Sequence, residues 1–139
     1  MAALLNQSFQ NAKSENRPAL LTYTVAGDNT NKRSLEILKS ISNYADICEL
    51  GFPHNTPIAD GGQIQTSAYR AIKNGIKIND VFSIAKDFKK SKKTKPIALL
   101  VARNHALLRR IRVCYLSGYR ALEANGGDGA RCLDIGKPA

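Results

Sequence analysis

The amino-acid sequence predicts a parallel α/β fold, and three observations lead to that prediction. Short runs of apolar and β-branched residues recur along the first hundred residues, segments with helical spacing lie between them, and turn clusters separate the two. Nearly continuous apolar runs are typical of strands that are buried on both faces. Strands that alternate with helices predict a parallel sheet with right-handed crossovers. Periodicity alone does not distinguish an open sheet from a closed barrel.

The predicted elements follow the order helix, strand, helix, strand, helix, helix, strand. Strands are expected over residues 19–25, 46–50 and 96–101, and the helices over residues 4–14, 30–44, 63–74 and from 79 onward. Capping residues set the helix limits: we expect Asn29 or Thr30 to cap the second helix, Gly75 to end the third and Asn79 to cap the fourth. The core faces of the second and fourth helices are Leu35, Leu38, Ile41, Val81, Phe82, Ala85 and Phe88.

The character of the chain changes at Ala102. Residues 1–100 contain 11 Lys and 3 Arg, whereas residues 101–139 contain 1 Lys and 6 Arg. One long helix is predicted over residues 104–124, and no element is predicted for the last ten residues. We therefore expect a domain over residues 1–101 and a tail of different origin over residues 102–139. The hypothesis is a truncated or frame-shifted gene, or a join of two sequences.

The length of 139 residues is that of one ordinary domain, and the net charge is +10. Much of that charge lies in the run Lys86–Lys95, where six of ten residues are Lys. Such a run at a helix end is usually a solvated face that suits the negative end of the helix dipole. An acidic partner is the alternative, but Phe88 is the single aromatic residue in the run, which argues against a platform for stacking bases.

The sequence favours a cytoplasmic protein. No apolar run approaches the roughly 18 residues of a membrane span, and the first residues lack the basic start and long apolar stretch of a signal peptide. The three cysteines, Cys48, Cys114 and Cys132, form no C-x-x-C pair. Reduced thiols are therefore expected.

Glu49 is the leading candidate for chemistry, because it lies near the carboxyl end of a strand that otherwise reads as buried. A buried carboxylate without a partner is unfavourable, and burial raises its pKa toward values useful for proton transfer near neutral pH. The alternatives are a side chain that reaches solvent past the strand end or one that pairs with a lysine.

Two further candidates lie in the loop over residues 53–62. Asp60 is flanked by small residues that allow a ligand to approach the backbone, although an Asp here is more often the cap of the helix that follows. His54 could act as a base, although a lone loop histidine is more often a surface residue. His105 has no partner at metal-binding spacing. The sequence contains no glycine-rich dinucleotide loop, Walker loop, G-x-S-x-G motif or H-E-x-x-H motif.

Three segments resemble the tryptophan synthase alpha chain family. They are Cys48-Glu49-Leu50-Gly51-Phe52-Pro53, then Pro57-Ile58-Ala59-Asp60-Gly61, then Ile64-Gln65. The segment Thr22–Asp28 is similar to the family's first strand and its G-D turn, and residues 96–100 are similar to its third strand. The resemblance covers about residues 17–100. It implies the N-terminal part of a (β/α)₈ TIM barrel, about three βα units, followed by an unmatched helical tail.

The resemblance also implies a reaction and its residues. The family is a carbon–carbon lyase that converts indole-3-glycerol phosphate to indole and glyceraldehyde 3-phosphate without a cofactor or a metal. Glu49 resembles its general acid and base, and Asp60 resembles the carboxylate that binds the indole N–H. Ile64 and Leu100 would line the indole pocket, with Tyr23 near it. The loop over residues 53–60 would face the tryptophan synthase beta subunit.

The chain departs from the family pattern in two places. His54, Asn55 and Thr56 replace the usual aromatic residue, Ser or Thr, and Asp, and Gly62 replaces a proline. The glycine-rich loops that hold the substrate phosphate belong to the last barrel strands, beyond this chain. We therefore expect a fragment that is inactive alone, with exposed strand edges that favour self-association. The alternative is a non-catalytic fragment that binds a beta subunit, or an acidic partner through Lys86–Lys95.

Overall fold

The computed structural model describes residues 2–55, 60–102 and 130–134. The elements are α1 (Ala2–Ser14), β1 (Leu21–Val25), α2 (Asn31–Ile41), β2 (Ile47–Gly51), α3 (Gly62–Lys73), α4 (Ile78–Ser91), β3 (Ile97–Ala102) and β4 (Ala130–Asp134). The strands form one sheet in the order β1-β2-β3-β4. The first three strands are parallel to one another, so the predicted order of elements and the parallel α/β fold are confirmed.

The core lies between one face of this sheet and the helices α2 and α4. Alternate strand residues point to that face, and its strand members are Cys48, Leu50, Ile97 and Leu99. Leu38 of α2 and Phe88 of α4 are almost completely buried against them. All four predicted core residues of α4 are buried there, which follows from the helical spacing of their apolar side chains.

An ion pair ties the amino-terminal ends of β1 and β2 together. The Arg17 guanidinium donates to both carboxylate oxygens of Asp46, over 2.7 and 2.8 Å. Asp46 also accepts the backbone N–H of Leu20 at 2.8 Å. These bonds hold the pKa of Asp46 well below its ordinary value, with the Arg17 hydrogen bonds as the largest cause. These hydrogen bonds therefore fix the starts of β1 and β2, the two strands that carry Tyr23 and Glu49.

Two predicted helix caps have different outcomes. Thr30 caps α2, since its hydroxyl accepts the Arg33 N–H at 3.1 Å. The prediction that Asn79 caps α4 is wrong, because the helix begins one residue earlier, at Ile78. Asp80 explains the difference: its carboxylate accepts the Lys77 N–H at 2.7 Å and so satisfies the backbone at the start of the helix.

The tail adds a strand that the sequence analysis did not predict. Residues 130–134 pair antiparallel with β3, with Ala98 opposite Asp134 and Ala102 opposite Ala130. The prediction of no element in the last ten residues is therefore wrong. Backbone pairing with an existing edge does not require a strong apolar pattern, which explains why the local sequence gave no signal. The predicted helix over residues 104–124 lies outside the described residues.

Several side chains of the run Lys86–Lys95 make contacts within the chain. Lys89 donates to the carbonyl oxygens of Lys93 and Lys95 over 2.8 and 3.0 Å. Lys95 donates to the Ala45 carbonyl at 2.5 Å, and Lys92 donates to the Asn43 side chain at 2.8 Å. These lysines thus satisfy carbonyl groups in the segment after α4 and in the segment before β2. Among the described helices, none is long and apolar enough to cross a membrane.

Candidate functional site

The strand register brings three predicted site residues to one face of the sheet. Tyr23 lies opposite Glu49, and Leu100 lies opposite Gly51. Side chains alternate along a strand, so these residues point away from the core that Cys48 and Leu50 share with α2 and α4. Parallel pairing in this register therefore forms the floor of a site from residues of β1, β2 and β3.

Glu49 is the middle residue of β2, because the strand continues to Gly51, one residue beyond its predicted end. Its side chain is half-buried, and within the described part of the chain it forms no ion pair or hydrogen bond. Burial raises the pKa of the Glu49 carboxyl above its ordinary value. The predicted rise in pKa is confirmed, and no lysine pairs with Glu49 within the described residues.

Tyr23 extends from β1 across β2. Its hydroxyl group occupies the place that a side chain on Gly51 would take. Burial raises the pKa of Tyr23 to about 12, and the charges of Asp60 and Glu49 contribute to the rise. The phenol is therefore near both candidate carboxylates, which approach it from different elements.

Helix α3 lies against β1 and closes one side of this region. Ile64 and Tyr23 both pack against a small buried cluster of Val25, Ala68 and Ala71. The predicted pocket residues Tyr23 and Ile64 are thus brought together.

Hydrogen bonds to Asp28 fix the position of α3. The guanidinium of Arg70 donates to the two Asp28 carboxylate oxygens at 2.7 and 2.8 Å, and the hydroxyl of Ser67 donates to the same carboxylate. The Arg70 hydrogen bonds are the largest cause of the lowered pKa of Asp28. Asn74 donates to the Asn29 carbonyl at 2.6 Å. The turn after β1 therefore holds the helix that carries Ile64.

Asp60 and His54 form the polar side of the site. Their nearest side-chain atoms, His54 Nε2 and Asp60 Oδ2, are 3.9 Å apart. The structure does not support the alternative that Asp60 caps the next helix, because α3 has Gly61 at its N-cap position and the Asp60 side chain makes no capping bond. The Asp60 backbone carbonyl accepts from Gln65 at 2.8 Å instead. The His54 side chain is partly buried, with 20% of its surface exposed.

Two features of the site were missed by sequence reasoning. The first is Gly51, whose missing side chain makes room for Tyr23, and the second is the Asp28–Arg70 pair. Gly51 lies directly after the strand predicted over residues 46–50, and neither that strand nor the G-D turn carries a local signal of these contacts. The distance of 42 residues between Asp28 and Arg70 leaves no local pattern from which to predict their contact.

A cavity of about 280 Å³ lies beside the site, along β1. Its walls include Tyr23, Val25, Ile64 and Arg70, whereas Glu49, Asp60 and Leu100 do not line it. The cavity therefore adjoins the site through Tyr23 and Ile64, which belong to both. The described residues contain no group of three or more His, Cys, Asp or Glu placed to hold a metal ion.

These features define the class of the protein. The first three strands are parallel and are joined by helices, and polar groups lie on the sheet face that points away from the α2 and α4 core and in the loop after β2. This arrangement corresponds to the N-terminal part of a (β/α)₈ barrel. The family model for the tryptophan synthase alpha chain matches residues 9–112. The chain belongs to this family. The match is wider than the 17–100 expected from motifs.

Individual relatives agree with the family match. The tryptophan synthase alpha chain of Pelagibacter ubique is 74% identical over 98 residues, which are 70% of this chain and 37% of the relative. A solved chain from Aquifex aeolicus gives a TM-score of 0.70 with 30% identity, over 82% of this chain and 45% of that chain. In a solved tryptophan synthase α2β2 complex from Pyrococcus furiosus, the similar chain gives a TM-score of 0.64 with 38% identity, over 71% of this chain and 40% of that one. The chain thus spans less than half the length of these relatives.

Proposed function

We propose that this chain supplies the indole side of a tryptophan synthase alpha chain active site. The reaction is the cleavage of indole-3-glycerol phosphate to indole and glyceraldehyde 3-phosphate. The observation that carries the proposal is Glu49, a half-buried carboxyl with a raised pKa and no partner within the described residues, on the face that also presents Tyr23 and Leu100. In this role the chain contributes to a carbon–carbon lyase that uses side-chain carboxyl groups and no cofactor.

Glu49 has the properties that the proton transfers require. The protonated carboxyl gives its proton to the indole ring carbon that bears the glycerol phosphate. The resulting carboxylate then takes the proton of the adjacent hydroxyl group. The carbon–carbon bond breaks, its electron pair returns to the ring, and the aldehyde forms. Burial raises the pKa of Glu49 and so favours its protonated form, which suits the first step.

Asp60 is assigned an electrostatic role in the reaction. Its carboxylate accepts the indole N–H and stabilises the positive charge that protonation places on the ring. The charge of Asp60 contributes to the raised pKa of Tyr23, which supports a role for this carboxylate near the strand face that carries Glu49. Tyr23, Ile64 and Leu100 form the apolar contact with the indole ring, and two of them, Tyr23 and Ile64, pack against the same buried cluster.

The proposed partner is a tryptophan synthase beta subunit, which receives the indole. The similar Pyrococcus furiosus chain is part of an α2β2 complex. The loop over residues 53–60 is the proposed contact, and its residues His54, Asn55 and Thr56 depart from the family pattern. A cytoplasmic location is proposed with this role.

A chimera tests the proposal. The segment of this chain that matches the Pelagibacter ubique relative over 98 residues replaces the corresponding segment of that relative, whose remaining barrel supplies the phosphate side. Indole release from indole-3-glycerol phosphate is measured, with the 139-residue chain in parallel. We expect the chimera to turn over, Glu49→Gln to lower kcat by about 100-fold or more, and Asp60→Asn to lower it by about 10- to 100-fold.

Two exposed carboxylates provide matched controls. Glu36 pairs with Arg33 on the surface of α2, and Asp87 pairs with Lys90 on α4. Glu36→Gln and Asp87→Asn are expected to leave kcat within about twofold, because neither side chain lies near the site. A chimera that folds but releases no indole would contradict the proposal, and so would an unchanged kcat in the Glu49→Gln variant.

A further inference from the structure

We propose that His54 is a positioning residue for Asp60. In this arrangement the imidazole Nε2–H donates a hydrogen bond to Asp60 Oδ2 and so fixes the direction in which Oδ1 faces the site. The two atoms are 3.9 Å apart, which is too long for a hydrogen bond and about 1 Å from one. Catalytic hydrogen bonds are often long in the absence of substrate and shorten when the site is occupied.

The burial of the other ring nitrogen supports this assignment. His54 Nδ1 is buried and has no hydrogen-bond partner in the described residues. A buried N–H without an acceptor is unfavourable, so the tautomer with its proton on Nε2 suits this environment better. That tautomer directs its single donor toward Asp60. The proximity of Nε2 to Asp60 and the burial of Nδ1 therefore both favour a hydrogen bond from Nε2–H to Asp60.

The proposed hydrogen bond depends on the residue types at positions 54 and 60 of this chain. His54 supplies a ring N–H as the donor, and Asp60 supplies a carboxylate oxygen as the acceptor. A carboxylate fixed through one oxygen keeps the other available for a single ligand N–H. This inference deepens the proposed function, because it takes Asp60 as the group that receives the N–H of the indole ring.

Nitrogen NMR of the 139-residue chain tests the contact without any need for turnover. The chain has two histidines, so His54→Gln assigns the His54 signals and His105 remains as an internal reference. We expect the Nε2–H tautomer at pH 8, with an imidazole proton that exchanges slowly enough to be seen. Asp60→Ala should remove that signal, and the control Asp87→Ala should preserve it. A proton on Nδ1, or a signal unchanged by Asp60→Ala, would overturn the proposal.

Indole binding gives a second measurement. The chain contains no tryptophan, so the fluorescence of added indole is read directly. We expect His54→Leu to weaken indole binding by about tenfold, because one charge-assisted hydrogen bond no longer orients Asp60. His54→Gln, whose amide nitrogen can take the place of Nε2, should restore most of the affinity. Equal losses in both variants would contradict a positioning role.

The two measurements separate this inference from the proposed function. A wild-type chain that does not bind indole counts against the proposed indole site, and the NMR result then decides the His54–Asp60 contact by itself. A wild-type chain that binds indole but carries its His54 proton on Nδ1 supports the site and overturns the inference.

Discussion

The hydroxyl group of Tyr23 lies over Gly51, in the place where any larger residue would put its side chain. The contact joins β1 to β2 on the face that carries Glu49, and it exists because residue 51 has no Cβ atom. Tyr23, Glu49 and Gly51 therefore form one unit in which a change at the glycine is expected to move the phenol.

Gly51→Ala is the direct test of this unit. The added methyl group collides with the Tyr23 ring, and overpacking of this kind lowers the free energy of unfolding by about 1–3 kcal/mol. Urea unfolding measures the loss. Gly62→Ala is the matched control, because nothing lies within 4 Å of its added methyl group, and no loss is expected. If Gly51→Ala is as harmful in a Tyr23→Ala background as in the wild type, the collision is not the cause.

Glu49→Gln is predicted to stabilise the fold while it abolishes the proposed chemistry. Burial raises the pKa of Glu49, so the folded chain holds its proton to higher pH than the unfolded chain does. Stability is therefore lost as the pH rises above the ordinary carboxyl value of 4.5. Relative to the wild type, the Gln variant should gain stability at pH 8 and gain little at pH 4. Urea unfolding at both pH values measures the difference, and a destabilised variant at pH 8 would contradict the prediction.

The Asp28–Arg70 pair predicts an opposite dependence on pH. The Arg70 hydrogen bonds lower the pKa of Asp28 below its ordinary value of 3.8, so its stabilising effect is present above that pH and is lost as the pH falls through and below it. Asp28→Asn should lower the free energy of unfolding by about 1–2 kcal/mol at pH 7. In acid, the free energy of unfolding of this variant should decrease less steeply with falling pH than that of the wild type. Asp87→Asn, on an exposed pair, is the control with the smaller expected effect. Parallel acid profiles for Asp28→Asn and the wild type would argue against the assignment.

From the unpaired edge of β1 we predict that the chain associates with itself through this strand. In the described sheet β1 and β4 are the two edge strands, so β1 has a neighbour on one side only. Unpaired backbone groups on such an edge favour pairing with another chain. Leu21, which is 44% exposed on that strand, is the residue to change, and Leu21→Lys should shift sedimentation toward the monomer. Ile72→Lys, at a residue 41% exposed on α3, should not. A compact wild-type monomer at high concentration would contradict the prediction.

Much of the fold could be predicted because its signals are local. Continuous apolar runs mark β2 and β3, helical spacing places Val81 and Phe88 in the core, and Thr30 identifies the start of α2. Helix α4 was placed less well, because the Asp80 carboxylate and Asn79 are both plausible capping side chains and local sequence does not decide between them. Strand β4 was missed, because its pairing partner is remote in sequence.

The sequence by itself determined the family, the identity of Glu49 and Asp60 as candidates, and the parallel α/β class, since motifs and periodicity are properties of neighbouring residues. Tertiary structure alone decided that Tyr23 fills the space above Gly51, that Arg70 holds the turn at Asp28, and that His54 approaches Asp60 with one ring nitrogen buried. Each of these depends on the distance between atoms of different elements. Such distances are set by strand register and helix packing, which no local pattern encodes.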